Sequence, residues 1–241
     1  MESVKHRIVQ YWTQRAQAFQ DQRIREFEDV KHERWLREIE RYLPQDRSLR
    51  ILDLGTGTGY FALILAARGH EVLGIDLTPE MISRAHETAG KLGIHADFRV
   101  MDAENPDFEP ESFDVLVTRN LTWTLPDLEK TYAEWYRLLK PGGILINFDA
   151  DYCRGVWDKG DDSLPDTHAH RTLSQAQWAE NEAITLELSA YQQPRPQWDV
   201  GLLIEAGFEK ICLDTGVYRR IYQEMDEFYN PTPVFCLAAY K

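Results

Sequence analysis

Cysteine is scarce: Cys153, Cys212 and Cys236 are the only three in 241 residues. Three widely spaced thiols cannot staple a secreted scaffold, and the odd number fits a reducing compartment, so a cytoplasmic protein is expected. No CxxC and no Cys/His spacing of a structural zinc site occurs. Long apolar runs are missing too. The stretch 60–67 is among the longest, whereas a membrane span needs about 20 residues. The opening MESVKHRIVQYWTQRAQAF carries charges throughout and lacks the apolar centre of a secretory signal. Positive charge is in deficit, with 27 Lys and Arg against 40 Asp and Glu. Residues 1–50 hold 11 bases and 9 acids, and the rest hold 16 and 31. A body this acidic disfavours long polyanionic partners, which need a basic surface. The remaining composition, 43% hydrophobic with 14 Gly and 11 Pro, excludes collagen, low-complexity disorder and a coiled-coil rod. The length suits one domain, or one domain with an insertion.

What is present is an alternation of strand and helix signals. Residues 3–43 read as helical, with Trp35, Leu36, Ile39, Tyr42 and Leu43 forming one apolar face that Pro44 ends. Strands are expected over 49–54, 70–76, 96–101, 113–118 and 144–148. Helices are expected over 60–68, 78–92 and 128–140, the first stopping at Gly69, the second at Gly93 and the third at Pro141-Gly142-Gly143. Thr78 reads as an N-cap with Pro79 at the first helical position. This order predicts an α/β fold, a doubly wound and mostly parallel sheet with helices on both faces. The period breaks at Ala150. Residues 150–197 read as an insertion, partly helical over 174–189. The sheet resumes with a helix at 198–206, a strand at 209–214 and a last strand at 233–240, while 215–232 stays open between strand and short helix. One domain results: an N-terminal helical lid at 1–45, a core at 46–149, a lid insertion at 150–197 and the end of the sheet at 198–241.

Three motifs sit at predicted strand ends. In Asp53-Leu54-Gly55-Thr56-Gly57-Thr58-Gly59 a strand delivers a glycine turn to a helix N-terminus, leaving room for a ligand against the main chain and N–H groups for an anion. A dinucleotide site places its third glycine at position 60, which here is Tyr. Asp76 ends the second strand, where an acid about 20 residues beyond the loop can accept both ribose hydroxyls. Asp102 and Ala103 follow the third strand, where a carboxylate and a backbone N–H can meet an adenine edge. Each motif also has a plain structural reading: a ligand-free turn, a cap, an ordinary strand end.

Together these segments, DLGTGTG at 53–59, GIDLTPEM at 74–81, MDAE at 101–104, FDVLVTRN at 113–120 and LLKPGGILINFD at 138–149, resemble the class I S-adenosylmethionine-dependent methyltransferases. Tyr11-Trp12-x-x-Arg15-Ala16 is similar to the lid helix of the small-molecule, ubiquinone-biosynthesis-like branch. The resemblance implies a Rossmann-like seven-stranded sheet whose last strand is antiparallel and inserted between strands five and six. It implies S-adenosyl-L-methionine as cofactor and a small-molecule acceptor, with no metal, no nucleic acid and no membrane, in a monomer or homodimer. The implied cofactor set is Tyr11, Asp53, Gly55, Thr56, Gly57, Gly59, Asp76, Leu77, Met81, Asp102, Ala103 and Arg119. Asp53 and the glycines would hold the methionine part, Asp76 the ribose, Leu77 the adenine face, and Asp102 and Ala103 its edge.

Candidate catalytic residues are Asn120, Asp149, Tyr152 and His168, although transfer from a sulfonium can rest on proximity and orientation alone. Trp123, Tyr152 and Trp157 are aromatic candidates for the mouth, to line a pocket or meet a cation. His168-Ala169-His170 admits a metal reading, but two polar loop histidines are the simpler account. Asp149, Asp151, Asp158, Asp161, Asp162 and Asp166, if they face the pocket, would favour a neutral or cationic acceptor. Open alternatives are a nucleotide-dependent oxidoreductase, a methyltransferase acting on tRNA or protein, and a non-catalytic cofactor-binding module.

Overall fold

The computed structural model describes residues 3–153, 164–168 and 171–241. The N-terminal helical region is two helices, α1 (Val4–Glu28) and α2 (Val30–Glu40). They part at Asp29, whose backbone is extended and whose carboxylate accepts from Lys31 N at 2.8 Å. An Asp there competes with the helix for its own backbone N–H groups, which is why one expected helix becomes two.

The alternating region follows as β1 (Arg50–Leu54), α3 (Tyr60–Ala66), β2 (Glu71–Asp76), α4 (Pro79–Leu92), β3 (Asp97–Val100) and β4 (Phe113–Arg119). A 3-10 turn at Thr122–Thr124 leads to α5 (Leu128–Leu138) and β5 (Leu139–Ala150). Then come α6 (Gln175–Thr185), α7 (Gln197–Ala206), β6 (Lys210–Asp214), α8 (Val217–Ile221) and β7 (Val234–Tyr240). The seven-stranded sheet has the order β3-β2-β1-β4-β5-β7-β6. β1 through β5 pair in parallel, and β7 runs antiparallel to both β5 and β6. The expected fold, including the inserted antiparallel last strand, is the one observed.

Alternation along each strand builds two cores. Ile51, Val115 and Ile146 face Trp35, Phe61 and Ala85 on one side. Leu52, Leu116 and Leu145 face Leu128, Trp135 and Leu203 on the other. Two local expectations are corrected. Pro141-Gly142-Gly143 lies inside β5, because the β4–β5 register shifts between the Phe113 and Val115 pairs and the glycines absorb the irregularity. Gly142 has φ +76°, and a Cβ on Gly143 would stand 2.8 Å from Lys140 O. Thr78 holds the N-cap position of α4 but makes no side-chain cap bond, and Asp76 accepts from Thr78 N instead.

The 3-10 turn after β4 is fixed from below by a buried polar cluster. Asp149 Oδ2 accepts from Trp123 N at 3.0 Å and from the Thr122 hydroxyl. Arg195 reaches Thr122 Oγ1 at 2.6 Å, Asp199 at 2.6 and 2.9 Å, and Asp149 at 3.5 Å. Tyr132 donates to Asp199 at 2.8 Å, and Asn147 donates to both Thr122 and Tyr132. The three charged side chains are sealed from solvent, so removing the one cation strands two carboxylates. Arg195→Met is expected to cost about 3–5 kcal/mol of unfolding free energy. Urea titration checks it, and a loss below about 1 kcal/mol would show that the cluster is not a constraint on the fold.

Candidate functional site

A cavity opens at the carboxyl ends of β1, β2, β3 and β4, where ligands of open α/β sheets lie. Its floor is the glycine turn. Gly55, Gly57 and Gly59 take φ of +63°, +55° and +88°, a left-handed backbone that other residues rarely adopt. Asp53 is buried and directed into that turn. Its Oδ2 accepts from Thr56 Oγ1 at 2.6 Å and Ala62 N at 3.0 Å. Burial pushes its pKa up to about 7 in spite of these bonds. Its carboxylate therefore braces the loop, with only an edge at the cavity wall. Gly59 is not part of the wall, since it packs under Phe98 and Ala85.

Asp76 is half-buried at the end of β2. It accepts from Gly57 N at 3.0 Å and Thr78 N at 2.8 Å, tying the loop to α4. Burial raises its pKa, and these two N–H groups oppose the rise. Asp102 follows β3, accepts from Glu104 N at 3.0 Å and is ion-paired to Lys5 at 2.5 Å. Lys5 also pairs with Glu104. Thr56, Leu77, Met81 and Ala103 line the same cavity, and Trp135 donates to the carbonyl of Ala103 at 2.8 Å. The strand ends thus bring together residues more than 50 positions apart.

At β4, Asn120 has φ +57°, a strained conformation that Asn tolerates better than most residues. It is locked by Trp123 Nε1, which donates to its carbonyl, and by Tyr152 Oη, which donates to its Oδ1 at 2.9 Å. Asn230 Nδ2 donates to the same Tyr152 oxygen at 2.6 Å. His168 is buried, lines the cavity and contacts Tyr229 O through Nε2 at 2.7 Å. Trp123 and Tyr152 pack with ring centroids 5.2 Å apart. Asp149 does not reach the cavity: it is fully buried in the cluster beneath Thr122 and Trp123, where it positions the wall and cannot meet a substrate. Of the insertion's other candidates, Trp157, Asp158, Asp161, Asp162 and His170 lie outside the described residues. Asp166 is almost wholly exposed and paired with Arg171. Among the described residues, no group of three His, Cys, Asp or Glu is placed to hold a metal.

The sequence motifs reach α1 only through Tyr11-Trp12-x-x-Arg15-Ala16 and do not point to Phe19, Arg23 or the C-terminal loop. Tyr11, Arg15, Phe19 and Arg23 recur every fourth residue and line the cavity from above. That spacing is visible in the sequence and was the missed signal. Tyr222, Phe228, Tyr229 and Asn230 close the far wall. Between these walls, Glu26 of α1 is completely buried. It accepts from Arg119 at 3.0 and 3.3 Å, from Arg23, and from Trp35 Nε1 at 3.0 Å. Burial raises its pKa, but Arg119 and Arg23 overcome that and hold it at about 2. Arg119 also stacks on Trp35 at 4.2 Å.

Residues 52–147 match the methyltransferase domain family model. The chain is 37% identical over 115 residues to a demethylmenaquinone methyltransferase of Thermus thermophilus, covering 47% of this chain and 52% of that protein. It is 29% identical over 199 residues to a glycine/sarcosine N-methyltransferase of Halorhodospira halochloris, covering 73% and 71%. It spans about half the length of the first curated relatives it matches. A Haemonchus contortus phosphoethanolamine N-methyltransferase, solved with phosphomonomethylethanolamine and S-adenosylhomocysteine, shares the fold at a TM-score of 0.61 and 23% identity, over 86% of this chain and 52% of that one. Residues 52–147 thus match a methyltransferase domain, and the glycine turn, strand-end acids and inserted antiparallel strand resemble those of the class I S-adenosylmethionine-dependent methyltransferases.

Proposed function

We propose that the chain transfers a methyl group from S-adenosylmethionine to a small-molecule acceptor. The observation that carries this reading is the convergence of Gly55 and Gly57, Asp76, and Asp102 and Ala103 on one cavity, from the ends of β1, β2 and β3. These residues fit the cofactor. Asp76 keeps lone pairs for a vicinal diol, because each of its oxygens accepts only one backbone N–H. Ala103 and Asp102 offer an edge on which a purine amine can be read, and Leu77 and Met81 give an apolar face. When bound, the cofactor supplies an electrophilic methyl on a sulfonium.

The chain's own residues then have three tasks. Asp76 and the glycine turn fix the ribose and the amino-acid part. Asn120, clamped by Trp123 and Tyr152, presents a rigid wall at the end of β4 where the acceptor meets the methyl. Tyr11, Trp12 and Phe19 exclude water from above. Tyr152 is buried, with its pKa raised well above that of a free tyrosine, and is committed to Asn120 and Asn230, so it is poorly placed as a general base. In this reading proximity and orientation carry the transfer. A dinucleotide oxidoreductase is disfavoured by Tyr60, whose ring fills the place of a third glycine. The acidic body argues against tRNA.

Two outcomes test this. Asp76→Ala should weaken S-adenosylhomocysteine by about 2–3 kcal/mol in calorimetric titration, the scale of lost charge-assisted hydrogen bonds; an unchanged affinity in the folded variant would sink the assignment. As a lid, α1 must open to admit the cofactor, because Lys5 bridges Asp102 and Glu104 and Phe19 lies on Gly57. Amide hydrogens of residues 4–20 should exchange about tenfold or more slowly once S-adenosylhomocysteine is bound. Equal exchange with and without it would contradict a lid.

A further inference from the structure

The charges lining the cavity are sorted by sign. Asp76, Asp102 and Glu104 stand with Lys5 at the ends of β2 and β3, and Asp53 on β1, bonded to Thr56 and Ala62, lies between them and β4. Arg15, Arg23 and Arg119 stand at the other end, where Glu26 is the one carboxylate that the described residues bring to them. Arg119 ends β4, two strand positions from β2 and three from β3 in the sheet, so its strand end lies about 10 Å from that of Asp76 and about 14 Å from that of β3.

At the cationic end the hydrogen-bonding capacity is not used up. Glu26 takes both terminal nitrogens of Arg119, leaving Arg119 Nε buried without a partner. Arg23 gives Glu26 a single nitrogen, Nη1. Tyr60 Oη is also buried without a partner. Arg23 and Arg119 are about nine-tenths buried, at 11% and 10% side-chain exposure. Two largely buried guanidinium groups sharing one carboxylate leave one positive charge uncompensated, an arrangement that an anion would complete.

We propose that Arg23, Arg119 and Tyr60 receive a carboxylate carried by the methyl acceptor, on a flat apolar body held among Tyr152, Tyr222 and Tyr229. This rests on the methyltransferase reading above and names the acceptor class. The cofactor's amino-acid part is a zwitterion and its sulfonium adds a further cation, so the bound cofactor brings no net negative charge to the cavity, and an acceptor carboxylate would. The surrounding rings favour a planar, weakly hydrated body. A carboxylate-bearing acceptor differs from the neutral or cationic acceptor suggested by the acids of 149–166, of which Asp149 is sealed in the core, Asp166 is exposed to solvent, and Asp158, Asp161 and Asp162 lie outside the described residues.

The test uses 2-naphthoate and 2-naphthamide, which match in shape and differ in charge. With S-adenosylhomocysteine bound, the wild-type chain should bind the acid about tenfold or more tightly than the amide, the scale of one charge-assisted bond. Arg23→Gln should bring that ratio near one, and Glu26→Gln should raise it, because it removes the competing carboxylate. A merely structural cluster would weaken both probes equally in both variants. Wild-type binding that is equal, absent or in favour of the amide overturns the proposal without any variant. In a second arm, S-adenosylhomocysteine is compared with 5′-methylthioadenosine, which lacks the amino-acid part. If Arg23→Gln lowers only that preference, the charge serves the cofactor's carboxylate and the proposal falls. If S-adenosylhomocysteine fails to bind the wild type, the cofactor reading falls, while the naphthoate preference of the ligand-free chain still decides the anion site.

Discussion

Glu26 is the group on which the closed cavity depends. It sits on α1, is fully buried, and is tied to Arg119 at the end of β4 and to Trp35 of α2. One carboxylate therefore joins the helical cap to the sheet edge. A carboxylate so deeply buried persists as a charge only because two guanidinium groups surround it, which is why it stays ionised at about pKa 2. The same contacts orient Arg119 over Trp35, so the cap's position and the cavity's wall are set together. A helix attached by apolar packing alone could slide along the sheet edge, whereas a bidentate pair fixes its register.

A second constraint acts on the other side of β4. The cluster of Asp149, Arg195, Asp199 and Thr122 has no outlet to solvent, yet it determines where Asn120 and Trp123 stand. Asp149 holds the backbone N–H of Trp123, and Trp123 in turn holds the carbonyl of Asn120. The strained backbone of Asn120 is thus over-determined from both directions, by the cluster below and by Tyr152 above. An acid at a strand end next to a binding cleft reads in sequence as a catalytic candidate. Here its environment makes it a support.

That contrast marks the limit of what the sequence discloses. The glycine turn and Asp76 were legible because their chemistry is local: a left-handed backbone needs glycine, and an acid at a parallel strand end faces the cleft. The strand order was legible because βα alternation leaves few topologies, and the antiparallel last strand followed from family resemblance. The break at Asp29 was less visible, since a capping Asp inside a long charged helical pattern is one polar residue among many. Asp149 was misread because its partner Arg195 is 46 positions away, within a segment that follows no βα period. Arg23 carried a weak signal, the four-residue recurrence from Tyr11 to Arg23, and Glu26 falls outside that recurrence. Surface helices carry similar recurrences, and only the fold shows that this face turns inward.

The polarity of the cavity follows from the same topology. Acids after β2 and β3 and an arginine after β4 are separated because the chain reverses its direction of winding between β1 and β4, placing β4 on the far side of β1 from β2. A ligand lying across this switch point feels acids under one half and arginines under the other. A nucleoside with hydroxyls and an amine to donate suits the first half. The second half has donors to spare and no carboxylate beyond Glu26 among the described residues. The proposed acceptor carboxylate would lie over this half, in a field set by strand order as much as by any single residue.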